Sequence, residues 1–172
     1  MKKNRKNLLK EVIQYVIILI VVIIIRTFIF TPIRVQQKSM YPTLNPNDIM
    51  ILNKIGLYTS NIKRFDIVVI KLDDEYIIKR VIGLPNESIE YKDDMLYVND
   101  EEIKETFIDA NTEDFKLEDI GYVTIPKNKY FVLGDNRGNS TDSRVLGLID
   151  RKDILGKTNF VLFPFKYFGI VK

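Results

Sequence analysis

Residues 66–83 read D-I-V-V-I-K-L-D-D-E-Y-I-I-K-R-V-I-G. Two stretches rich in β-branched residues, 66–72 and 76–83, meet at the turn-forming L-D-D-E, a pattern of short strands and not of an amphipathic helix. On strand alternation Ile77, Lys79 and Val81 share one face, and Ile78, Arg80 and Ile82 share the other. A lysine on so apolar a strand is either functional or an edge residue that guards against strand pairing, and the pattern leaves both open.

The same grammar continues on either side. D-I-M-I-L-N-K (48–54), M-L-Y-V-N (95–99), Y-V-T-I-P (122–126) and Y-F-V-L-G (130–134) are strand-like, and N-P-N-D, L-P-N-E, K-D-D and P-K-N-K separate them. No long amphipathic helix is evident after residue 35, so the expected fold is mainly β, a sheet or barrel assembly. Residues from about 86 to 128 are more acidic and less apolar, which marks them as a smaller cap inserted between two halves of a core. There is no internal repeat and no low-complexity linker.

The N-terminus obeys another rule. Lys2, Lys3, Arg5, Lys6 and Lys10 precede Val12 to Phe30, which is apolar apart from Gln14, Arg26 and Thr27. That run has about the 20 residues needed to span a bilayer, and Arg26 lies close enough to its end to snorkel. A core helix would carry a polar face, and a cleaved leader would end in an A-x-A-like site; neither feature is present. The expected organisation is a basic cytoplasmic tail (1–11), a transmembrane anchor (12–30) and an extracytoplasmic domain (31–172), with basic residues before the span fixing the orientation. The net charge is +3 while residues 1–11 contribute +4, so the remainder is near neutral. That balance argues against a nucleic-acid surface and assigns the basic tail to anionic membrane lipid.

With no cysteine and no histidine, the 172-residue chain has no disulfide, no thiolate nucleophile, no Ser-His-Asp triad and none of the usual zinc ligands. No phosphate-cradling glycine loop is present, and no cofactor or metal is indicated. Residues 38–44, K-S-M-Y-P-T-L, contain Ser39, which is either a turn residue or a nucleophile in need of an unusual base: a carboxylate, a tyrosine or a lysine. A lysine serves when burial lowers its pKa toward neutrality. Ser60 to Lys63, S-N-I-K, matches S-x-x-K, but the accompanying S-D-N and K-T-G are missing and the match reads as chance. Lys38, beside Ser39 in an extended segment, points to the opposite face and reads as a solvated charge.

The apolar anchor, then F-x-x-x-P-I-R-V (28–35), S-M-Y-P-T-L (39–44), D-I-V-V (66–69), K-R-V-I-G-L-P (79–85) and G-D-N-R-G-N-S-T-D-S-R (134–144), resemble in this order the bacterial type I signal peptidases. The resemblance covers nearly the whole chain, is weakest between about 86 and 128, and is closest to the single-anchor Gram-positive form. It implies Ser39 as acyl nucleophile and Lys79 as neutral general base. It also implies Ser140 as the serine that hydrogen-bonds and orients the lysine, Asp142 with Arg144 as a structural acid and base, and Asp135 with Arg80 as a second supporting ion pair.

By family position Ile33, Val35, Met40, Leu44 and Ile78 line shallow pockets for alanine-sized substrate side chains, although each has a plain core reading too. The implied partners are secreted preproteins with A-x-A-like signal peptides, and Ser39 follows Phe30 by only nine residues, at most about 30 Å of chain. Gln37 stands where the family has Gly or Ser, which bears on the substrate range. Phe65, where the family has Gly, and Asn86-Glu87, where it has Gly-Asp, bear on turns. Two other classes fit parts of the pattern. A self-cleaving Ser-Lys regulator is opposed by the anchor; a membrane-anchored, non-catalytic or narrowly specialised peptide binder would keep the groove without a neutral lysine.

Overall fold

The structure, a computed structural model, describes residues 2–59, 61–73, 75–108 and 111–171. Helix α1 (Lys2–Phe28) contains a stretch, Asn7–Thr27, long and apolar enough to cross a membrane, with a mean hydropathy of 2.6 and none of it buried. Such a helix has no polar face and no protein cover, as a lipid-facing segment requires. It closes at Phe28, two residues before the expected end of the anchor, because Phe30 already pairs as the first residue of β1. Lys54 Nζ meets the Thr27 carbonyl at 3.0 Å and Thr31 Oγ1 meets that of Arg26 at 3.0 Å, satisfying acceptors that a helix end leaves open.

Beyond the helix the fold is antiparallel β. The strands are β1 (Phe30–Arg34), β2 (Ile49–Asn53), β3 (Ile67–Leu72), β4 (Glu75–Gly83), β5 (Ile89–Lys92) and β6 (Met95–Val98). There follow β7 (Glu101–Ile103), β8 (Phe115–Lys116), β9 (Lys129–Leu133), β10 (Ile149–Asp150), β11 (Ile154–Phe163) and β12 (Gly169–Ile170). The larger sheet runs β1-β2-β11-β3-β4-β9-β10, with β12 on β11; the smaller one runs β7-β6-β5-β8. Short helices α2 (Gly56–Thr59) and α3 (Ser143–Leu146) punctuate the loops.

The hairpin read from residues 66–83 is β3-β4, with Leu72 opposite Glu75 and Asp73 at φ 46°. In the smaller sheet, Lys92 faces Met95 across Asp93 and Asp94 (φ 50° and 67°), and Val98 faces Glu101 across Asn99 and Asp100 (φ 50° and 66°). Asn and Asp tolerate the left-handed region that two-residue hairpin turns require. The smaller sheet lies against the larger one: Ile89, Tyr91, Leu96, Val98 and Phe115 share one apolar cluster with Ile82, Phe131 and Leu133. Y-V-T-I-P (122–126) is not a strand. Only Ile125 there is buried, and its N–H and carbonyl pair with Glu87 O and Asn86 N.

Candidate active site

β1 delivers the chain to a turn in which Tyr41 N–H donates to Lys38 O at 3.1 Å, leaving Ser39 and Met40 at its centre, both buried. Asn136, almost a hundred residues on, grips this turn twice: its N–H donates to Ser39 O (3.0 Å) and its Nδ2 to Lys38 O (3.1 Å). Among the described residues the Ser39 N–H has no acceptor. The Lys38 side chain is exposed.

β4 is covered on both faces from Lys79 to Gly83. Lys79 is 1 % exposed, and its Nζ lies 2.7 Å from Ser39 Oγ. Burial lowers the Lys79 pKa from 10.5 to about 8; Asp142 pulls it upward, Arg144 downward and Asp135 upward, and the loss of water prevails. At pH 7 roughly one Lys79 in ten is neutral, against about one in three thousand for an unshifted lysine.

The two carboxylates raise the lysine pKa without cancelling the effect of burial, and each has an arginine partner of its own. Asp142 caps α3 and accepts from Arg144 Nε and Nη2, each at 2.9 Å. Asp135 accepts Arg80 Nε at 2.9 Å and Nη2 at 2.7 Å, a bidentate pair with almost no solvent access. Each acid therefore reaches Lys79 already engaged with an arginine.

The expected bond from Ser140 to Lys79 is not made. Ser140 Oγ is buried without a hydrogen-bond partner and sits against Gly134, in the space that a Cβ at position 134 would occupy. The same Cβ would collide with the Ser39 carbonyl oxygen, so only glycine allows the 134–144 loop to press against the serine turn. The Gly134 N–H is held by Asp142 Oδ2 at 3.1 Å. Gly134, Asn136 and Arg137 were missed as functional positions by the sequence reading, although all three lie inside the quoted G-D-N-R block.

Ser39 opens on a groove of about 520 Å³ whose lining includes Ile33, Val35, Gln37, Met40 and Ile78. Leu44 does not line it; fully buried, it packs with Met50 and Val161 and belongs to the core. The groove runs along β1 and the first half of β4. β4 pairs with β3 from Glu75 to Arg80 but with β9 only from Arg80 onward, and β1 is an edge strand. Two backbone edges thus face the groove. Among the described residues no group of three His, Cys, Asp or Glu could hold a metal ion. Ser60 of S-N-I-K lies outside the described residues.

The family described as "Signal peptidase, peptidase S26" matches residues 8–163. The chain is 41 % identical over 170 residues to signal peptidase I S of Bacillus subtilis, covering 94 % of this chain and 92 % of that one. It is 37 % identical over 180 residues to signal peptidase IB of Staphylococcus aureus, covering 95 % and 94 %. The crystal structure of a signal peptidase I from Enterococcus faecalis superposes with a TM-score of 0.54 at 36 % identity, over 57 % of this chain and 97 % of that chain.

Proposed function

The chain belongs to the signal peptidase family, peptidase S26, and from that premise we propose a membrane-anchored serine endopeptidase that removes signal peptides from preproteins, with Ser39 as nucleophile and Lys79 as base. The observation that carries the reading is the 2.7 Å contact between buried Lys79 Nζ and Ser39 Oγ, in a chain without histidine.

The chemistry follows from that contact. Neutral Lys79 takes the Ser39 proton along the 2.7 Å line as Oγ attacks the carbonyl carbon before the scissile bond. The Ser39 N–H, with no acceptor of its own, donates to the oxyanion, and such a donor is worth roughly 2.7–4 kcal/mol. The Lys79 ammonium returns its proton to the departing amine, leaving an ester on Ser39. Lys79 then deprotonates the water that hydrolyses the ester. Asp142, Arg144 and Asp135 act through Lys79, shifting its pKa without touching substrate, and Arg80 holds Asp135 in place.

The open edges of β1 and β4 suit a substrate added as a β-strand, with alternate side chains entering the groove. Ile33, Val35, Met40 and Ile78 leave shallow apolar hollows, which favours A-x-A-like sites. The basic residues that precede the apolar run from Val12 favour a cytoplasmic N-terminus with contact to anionic lipid, and so an extracytoplasmic groove near the outer membrane surface.

The test compares the detergent-solubilised protein with Ser39→Ala and Lys79→Ala on a preprotein carrying an A-x-A site. Cleavage at that site by the parent alone is the expected outcome. A folded parent that binds the preprotein without cutting it overturns the enzyme reading in favour of a peptide-binding protein.

A further inference from the structure

The G-D-N-R block holds a charge for which the reaction has no use. The Arg137 side chain has no solvent access, and its Nη2 and Nη1 donate to Glu105 Oε1 (2.6 Å) and Oε2 (2.9 Å). Nη1 also donates to Thr112 Oγ1 at 2.7 Å and Tyr91 OH at 3.2 Å. All three partners belong to the inserted region. On the opposite side Arg137 grips the catalytic loop: its Nε donates to Gly134 O (3.2 Å), and its carbonyl accepts Arg144 Nη2 (2.8 Å).

Two residues beyond Glu105, the Phe107 ring lies 3.9 Å from the guanidinium carbon of Arg80 and packs on Phe65 with ring centroids 4.9 Å apart. Arg80 is the partner of Asp135. One short segment, residues 105–107, therefore braces the two arginines that bracket the loop beside Lys79. A buried guanidinium stripped of its carboxylate must find another acid or distort its surroundings, and Asp135, whose charge acts on Arg137 and on Lys79 alike, is within its field.

We propose that Glu105 and Phe107 are positioning residues for the reaction, holding the 134–144 loop where Gly134 and Asn136 seat the Ser39 turn. The inference rests on Ser39 and Lys79 being the reacting pair. Neither Glu105 nor Phe107 lines the groove, so positioning and substrate binding are separable.

The experiment measures kcat, KM and Tm for the full-length protein and for Glu105→Gln, Arg137→Gln, the double variant and Phe107→Leu on one signal-site peptide. Displacing a reacting group by about 1 Å costs on the order of a hundredfold in rate, so Glu105→Gln is expected to lower kcat about 10- to 100-fold with KM within about threefold. The double variant is expected to cost no more than the worse single one, since both break the same contact. A parent-like kcat in Glu105→Gln, with only Tm lowered, overturns the inference and makes the insert a stabiliser alone; so does a raised KM at unchanged kcat. Should Glu105→Gln not fold, Phe107→Leu, which removes no charge, decides by the same split. An inactive folded parent overturns the Ser39–Lys79 reading and this inference with it, whereas an active parent with an unaffected Glu105→Gln overturns the inference alone.

Discussion

Lys79 accepts a proton only when neutral, so the rate of acylation follows its neutral fraction. With a pKa of about 8, kcat/KM on a signal-site peptide rises about tenfold per pH unit below pH 7, reaches half its maximum near pH 8 and levels above pH 9, a rise of about ninety-fold between pH 6 and 9. A lysine left at 10.5 gives about a thousandfold rise over the same interval and no levelling. The assay follows an internally quenched peptide at concentrations far below KM, with a side-chain composition that does not titrate between pH 6 and 10, constant ionic strength, and Ser39→Ala as background. Under those conditions the profile reports the free protein. A substrate strand over the groove removes still more water from Lys79, so the inflection in kcat is expected at a lower pH than that in kcat/KM. A flat profile from pH 6 to 9, or a slope still near one at pH 9.5, refutes the assignment of Lys79 as a base tuned by burial.

The same shift has a cost in stability. Folded Lys79 holds fewer protons than the unfolded chain between pH 8 and 10.5, so stability rises with pH across that window, and below it the buried ammonium costs about 3 kcal/mol. Lys79→Met is therefore expected to stabilise the fold near pH 7 by about 1–3 kcal/mol, with the gain shrinking toward pH 10; urea melts at the two pH values check both points. Gly134→Ala drives a methyl group between Ser140 Oγ and the Ser39 carbonyl and is expected to lower kcat about 10- to 100-fold while the circular dichroism stays native; a parent-like kcat counts against the close approach. Gln37→Gly opens the groove beside Ser39 and is expected to widen the range of signal peptides cut; unchanged turnover across several of them removes any role for Gln37 in specificity.

Five of the six strand-like segments read from the sequence are strands, β2, β3, β4, β6 and β9, whereas seven of the twelve strands among the described residues were not read. β3, β4 and β6 alternate or run apolar between strong turn formers, so pattern and structure agree. β11, the longest strand, escaped notice because its register shifts against both β2 and β3, and an irregular ladder leaves no period of two in the sequence. Phe65 and Asn86 were read as departures at turns; both take left-handed φ, 70° and 69°, where glycine is the unstrained choice. Sequence identified the turns but not what Phe65 gains there, which is the packing of its ring on Phe107 and the bond from Arg80 Nη1 to its carbonyl.

For the site, residue pattern alone left Lys79 undecided between a working lysine and an edge guard, and resemblance to a family supplied its role. What neither could supply is why the lysine gives up its proton. Two acids stand close by and each raises the lysine pKa, so burial has to outweigh both. The structure pairs each acid with an arginine of its own: Arg144 two residues from Asp142, and Arg80 fifty-five residues before Asp135. The first pairing is visible in D-S-R, while the second needs a tertiary contact, and the Glu105–Arg137 bridge that braces it comes from the stretch whose sequence says least. If Lys79 is the base, Arg144 is the arginine whose charge directly opposes the pull of Asp142, and removing it is expected to raise the lysine pKa and move the activity profile to higher pH.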